Sequence, residues 1–154
     1  MVAKGPFMEF MRLETARADG PSEVLSEGFD TPISKTEKMA MLIHQIHLFC
    51  PIAKTANGEV KVAISEHELE LSSDVDLGEP GVITKMECFA LTTPPEIHAV
   101  EHQITYYDPP ILFAKRKIWL TVNVEGATNK KASATIGYTL EQVSQEDFIS
   151  ALVE

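Results

Sequence analysis

Short runs in which apolar and polar residues alternate recur along this chain, each closed by a turn signal, and that rhythm limits the fold more than any other feature. The clearest run is Ile118-Trp119-Leu120-Thr121-Val122-Asn123-Val124. Val60, Val62 and Ile64 alternate in the same way directly after Asn57-Gly58, a pair that favours a tight hairpin turn. Further runs cover residues 22–29, 82–91, 100–107, 111–113 and 132–138, with breaks such as Asp30-Thr31-Pro32, Pro94-Pro95 and Asp108-Pro109-Pro110. The count is about eight strands at the spacing of a sandwich or barrel.

Three segments need separate treatment. Residues 39–50 would place Met39, Leu42, Ile43 and Ile46 on one stripe as a helix. As a strand they put Met41, Ile43, Gln45, His47 and Phe49 on one face and Leu42, His44, Ile46, Leu48 and Cys50 on the other. The strand is preferred because the neighbouring segments read as strands. Residues 1–20, with Phe7, Met8, Phe10, Met11 and Leu13, form an N-terminal arm or an edge strand, and residues 21–154 a single β-sandwich domain. At the other end Ser144 has the form of a helix N-cap with Asp147 three residues on. Phe148, Ile149, Leu152 and Val153 then share one apolar face of a short C-terminal helix.

With 154 residues, 44% hydrophobic and 23% charged, the chain has the composition of one globular domain. Its net charge of -10 argues against binding nucleic acid by neutralising phosphates. The acids from Glu59 to Asp108 are opposed only by Lys61 and Lys85, which reads as a solvated acidic surface. Cys50 and Cys88 sit at or within apolar runs, as small buried hydrophobes or as a disulfide pair. Glu9, Arg12 and Glu14 interrupt any signal-peptide core, and no apolar run is long enough to cross a bilayer, so the chain is expected to be made in the cytoplasm.

No nucleophile elbow, Cys-His signature or phosphate-binding loop is present, so no catalytic residue and no cofactor are assigned. The spacings His44-x-x-His47 and His98-x-x-x-His102 occur in metal sites. Strand geometry puts His44 and His47 on opposite faces, which leaves His98 and His102 with Glu96 and Glu101 as weak surface candidates. Trp119, Tyr106, Tyr107 and Tyr138 are either core or interface aromatics or a platform for stacking sugars. The basic triplet Lys115-Arg116-Lys117, opposite an acidic midsection, fits a charge-complementary contact between identical subunits.

From Asp108 onward a Pro-rich turn leads into Ile111-Leu112, a hydrophobic strand over residues 117–124 and a small-residue loop over 126–131. Ile136-Gly137-Tyr138-Thr139-Leu140 and the acidic terminal segment follow. This order, over about the last third of the chain, resembles the C-terminal part of single-jelly-roll capsid proteins from tailless icosahedral viruses of prokaryotes. The resemblance implies an all-β, eight-stranded jelly-roll β-sandwich with a short C-terminal helix, located in the virion and packed edge to edge with copies of itself and other capsid subunits. Subunit contacts are expected at Phe7, Phe10 and Met11 of the arm, at Lys115 and Arg116, and at Trp119. The alternative is a carbohydrate- or ligand-binding β-sandwich, receptor-binding or cupin-like, built on the aromatics and the segment from Glu96 to His102.

Overall fold

The computed structural model describes residues 8–15, 22–33, 39–50, 58–69, 78, 80–91, 97–98, 102–125, 131–146 and 149. Among them the alternating runs become β1 (Glu9–Glu14), β2 (Ser22–Asp30), β3 (Met39–Phe49), β4 (Gly58–Ser65), β5 (Val82–Leu91), β6 (Ile97–His98), β7 (His102–Phe113), β8 (Lys117–Glu125) and β9 (Ser133–Gln142). One sheet has the order β1-β9-β3-β7, the other β2-β8-β4-β5-β6. Every pairing is antiparallel. The two-residue β6 only extends the far edge through β5, so each sheet has four principal strands. Their order, 1-9-3-7 against 2-8-4-5, is the double Greek-key winding of an eight-stranded jelly roll.

Alternation supplies the core from both sides. Leu13, Met41, Ile43, Ile46, Leu48, Phe113 and Ile136 come from the four-stranded sheet. Val60, Val62, Ile64, Ile118, Leu120, Val122 and Val124 meet them from the other, and all are buried in one cluster. Along the β5–β7 seam the inward residues Gln103, Thr105 and Tyr107 of β7 are polar because they reach carbonyls and the Thr84 hydroxyl of β5. Gln103 Nε2 donates to the Lys85 carbonyl at 3.0 Å, and the Tyr107 hydroxyl donates to the Ile83 carbonyl at 3.4 Å.

The segment 39–50 is a strand, but its faces differ from strict alternation. The register of β3 shifts between Ile43 and Gln45 against both neighbours: against β9 His44 is the extra residue of a β-bulge, whereas against β7 the surplus lies in β7 itself, between Tyr106 and Ile111. Beyond it the parity reverses: Ile46, Leu48 and Cys50 join Met41 and Ile43 in the core, while Gln45, His47 and Phe49 turn outward. His44 and His47 therefore share a face, contrary to the spacing argument.

Asp108-Pro109-Pro110 does not end a strand. β7 runs through it, with its regular pairing interrupted between Tyr106 and Ile111. The prolines are tolerated because β7 is an edge strand, where a missing N–H breaks no ladder on the open side. Of the expected C-terminal helix, Gln145, Glu146 and Ile149 are helical and the remainder lies outside the described residues. Cys50 is a buried thiol in the core, and the side chain of Cys88 lies outside the described residues.

Candidate functional site

The outer face of the four-stranded sheet has an unusual surface, assembled by register. Phe10 of β1 pairs with Gly137 of β9, Gly137 with Gln45 of β3, and Gln45 with Tyr106 of β7. The next outward row is Arg12, Thr135, His47 and Ile104, and the third is Glu14, Ser133, Phe49 and His102. Among the described residues the exposed large hydrophobics are Met8, Phe10, Phe49, Ile104, Tyr106 and Ile149. Met8 reaches Gly137, so all but Ile149 belong to this one face. A grouped apolar surface of this kind marks a contact site, whereas scattered exposed hydrophobics carry no such meaning.

Gly137 shapes the face. A Cβ there would lie 2.7 Å from Gln45 Cγ, 2.8 Å from Met8 Sδ and 3.2 Å from Phe10 Cε1. Only glycine lets Met8 and Phe10 fold down across β9. The bulge adds a polar element, because it brings His44 outward where Nε2 lies 2.9 Å from Thr139 Oγ1. His47 and His102 meet edge to face with ring centroids 5.6 Å apart, and His47 Nε2 is buried with no hydrogen-bond partner.

Charges on the three rows are confined to Arg12 and Glu14 on β1. Glu14 is paired at 2.8 Å with Lys131, whose ammonium holds the carboxyl below its ordinary range. On the inner side of β9, burial raises the Tyr138 phenol above its usual value, and the nearby Glu9 carboxylate adds to the effect. Tyr107 is raised by burial and partly restored by a hydrogen bond from Thr84.

The outer face of the five-stranded sheet is covered around Ala63 by its own chain. Leu69, beyond the end of β4, is buried against Ala63, with Val24 and Val82 packed around them. Thr121 and Asn123 are buried on this side as well. Trp119 lies flat over Gly28, where a Cβ would come within 3.0 Å of its ring.

The residues expected at subunit contacts are therefore dispersed. Phe10 is 59% exposed on the open face, whereas Met11 turns inward and packs on the core. Trp119 belongs to the opposite sheet. Arg116 is exposed in the β7–β8 turn, and Lys115 beside it holds Glu66 at 3.1 Å. Phe7 lies outside the described residues. The aromatics do not form one platform, because Tyr106 and Trp119 occupy opposite outer faces while Tyr107 and Tyr138 point into the sandwich. Of the weak metal candidates, His98 is in β6 of the five-stranded sheet and His102 begins β7 of the other. Glu96, Glu101 and the His98 side chain lie outside the described residues. The sequence reading missed the open face because its signal is split over four strands and two of them carry irregularities.

No protein-family model and no curated protein sequence matches the chain. Solved structures do match its fold. A structure of tomato aspermy virus superposes with a TM-score of 0.52 at 12% identity, covering 90% of this chain and 79% of that one. VP1 of Merkel cell polyomavirus, solved as an unassembled pentamer, gives 0.53 at 5% identity over 89% of this chain and 96% of its own. VP1 of trichodysplasia spinulosa-associated polyomavirus, in complex with GM1 oligosaccharide, gives 0.51 at 6% identity over 92% and 98%. At these identities the shared property is the jelly-roll fold, and these three structures are viral.

Proposed function

We propose that the chain is a capsid subunit, a virion structural protein that self-assembles into a shell. The observation that carries this reading is the strand order 1-9-3-7 against 2-8-4-5, which belongs to the same jelly-roll fold as tomato aspermy virus and a polyomavirus VP1 pentamer over about nine-tenths of the chain. The open face of the four-stranded sheet supports it, since a subunit needs surface that water does not favour. The role is structural and not catalytic. The C-terminal pattern from Asp108 onward points more narrowly to tailless icosahedral viruses of prokaryotes, with synthesis in the host cytoplasm and other capsid subunits as further partners. Contacts through Phe7, Phe10, Arg116 and Trp119, and completion of the C-terminal helix up to Val153, belong to the same proposal.

Electron microscopy of the purified chain at rising concentration tests it. Closed shells or symmetric rings are expected. A monodisperse monomer at the highest attainable concentration would refute self-assembly.

A further inference from the structure

We infer that the open face of the four-stranded sheet pairs with the same face of a second copy of this chain, as a two-fold contact. The inference rests on the capsid reading and adds the surface and the symmetry. Its first support is complementarity. Five of the six exposed large hydrophobics among the described residues lie on this face, so the apolar surface that a second copy offers in return is the same face. A surface that matches itself closes as an isologous pair.

Charge supplies the second support. Two chains of net charge -10 repel each other over most of their surfaces. The three rows carry only Arg12 and Glu14, one of each sign, so pairing here brings no net charge against net charge. Size supplies the third. Four strands at about 4.8 Å spacing and roughly seven residues of β3 at about 3.4 Å, with side chains included, give a footprint on the order of 600 Å². That approaches the ~800 Å² which each partner contributes to a standard interface. Among its described residues the opposite sheet exposes no large hydrophobic side chain, and Leu69 covers Ala63 there.

The test is sedimentation equilibrium of the full chain over a wide concentration range, with electron microscopy of the same samples. The variant is Ile104→Lys with Tyr106→Lys, at side chains 45% and 71% exposed, so that folding is not burdened. The control exchanges charges on the other sheet, Lys85→Glu with Glu87→Lys, both exposed there. Circular dichroism melting confirms that every chain is folded. The expected result is a wild-type dimer as the smallest associated species, a dissociation constant raised at least about tenfold in the Ile104/Tyr106 variant, and no such change in the control. Wild-type association that the Ile104/Tyr106 variant reproduces would overturn the face and leave the capsid reading standing. An odd-numbered ring as the smallest species would overturn the two-fold mode. A wild-type monomer throughout would overturn both readings and leave the face to a partner of different sequence.

Discussion

Replacing Gly28 with alanine tests the packing of the five-stranded sheet at one atom. Gly28 and Trp119 are direct cross-strand partners, and the indole lies where a side chain on residue 28 would project. A Cβ would sit 3.0 Å from Trp119 Cη2 and Cζ2 and 3.1 Å from Cε2. Carbon contacts are comfortable at about 3.5–4.0 Å, so three ring atoms are overlapped by roughly 0.5 Å. The ring is rigid and must tilt away as a unit. Overpacking of this kind costs about 1–3 kcal/mol, offset by about 0.5–1 kcal/mol because alanine is better than glycine inside a strand. The net expectation is a destabilisation centred on about 1 kcal/mol and reaching at most about 2.5 kcal/mol. With a urea slope of about 2 kcal/mol/M, the midpoint falls by roughly 0.5 M and at most about 1.2 M. Trp119 is the only tryptophan, so indole emission reports the displacement directly and should shift toward the red. In a Trp119→Ala background, followed by circular dichroism, Gly28→Ala should become neutral or stabilising. An unchanged midpoint together with unchanged emission would refute the claim that the ring rests on Gly28.

Phe113→Ala should lower unfolding stability by about 3–5 kcal/mol because the ring is fully buried, while Ile104→Ala on the open face should stay within about 0.5 kcal/mol in monomer-range urea titrations. Thr15 Oγ1 accepts the Ala132 N–H at 3.0 Å in a buried setting, so Thr15→Val should cost about 1–3 kcal/mol through the stranded donor. A denaturation series showing less than half of that would count against the assignment. Tyr107 and Tyr138 both have raised pKa values, so their neutral forms favour the folded state. That stability is present below the ordinary tyrosine pKa near ~10 and is lost as pH rises through the raised value. Tyr138→Phe should therefore flatten the loss of melting temperature on the alkaline side, and an identical alkaline profile would contradict it.

Much of the sandwich was legible because its strands obey one local rule. Val60, Val62 and Ile64, and Ile118, Leu120, Val122 and Val124, alternate without interruption and are the core of the five-stranded sheet. What could not be read are the places where the rule is broken by tertiary context. Nothing local to His44 announces a bulge, because the extra residue is defined by pairing with β9, far away in sequence. One inserted residue was enough to exchange the two faces for everything after it. In β7 the usual expectation fails in the opposite sense: Ile104 and Tyr106 face out while Gln103 and Tyr107 face in, since the inward pair reaches carbonyls of β5 across the seam. The candidate face spans the four strands of its sheet and these two carry its irregularities, which is why the sequence pointed to individual residues such as Phe10 and not to a surface.

The prolines in β7 have a wider consequence when the four sheet edges are taken together. β1 is six residues long, β7 is interrupted at Pro109-Pro110, and β2 carries Glu23, Glu27 and Asp30; β6 is two residues long and leaves most of β5 as the edge, where Tyr107 and Gln103 of β7 occupy the Ile83 and Lys85 carbonyls. Each edge is a poor template for a further strand. Neither sheet is therefore suited to propagating through successive copies as a ribbon or fibril. For the subunit of a shell proposed above, such edges would guard against open-ended polymerisation while many copies come together and would leave association to faces and turns, where geometry sets a finite end point.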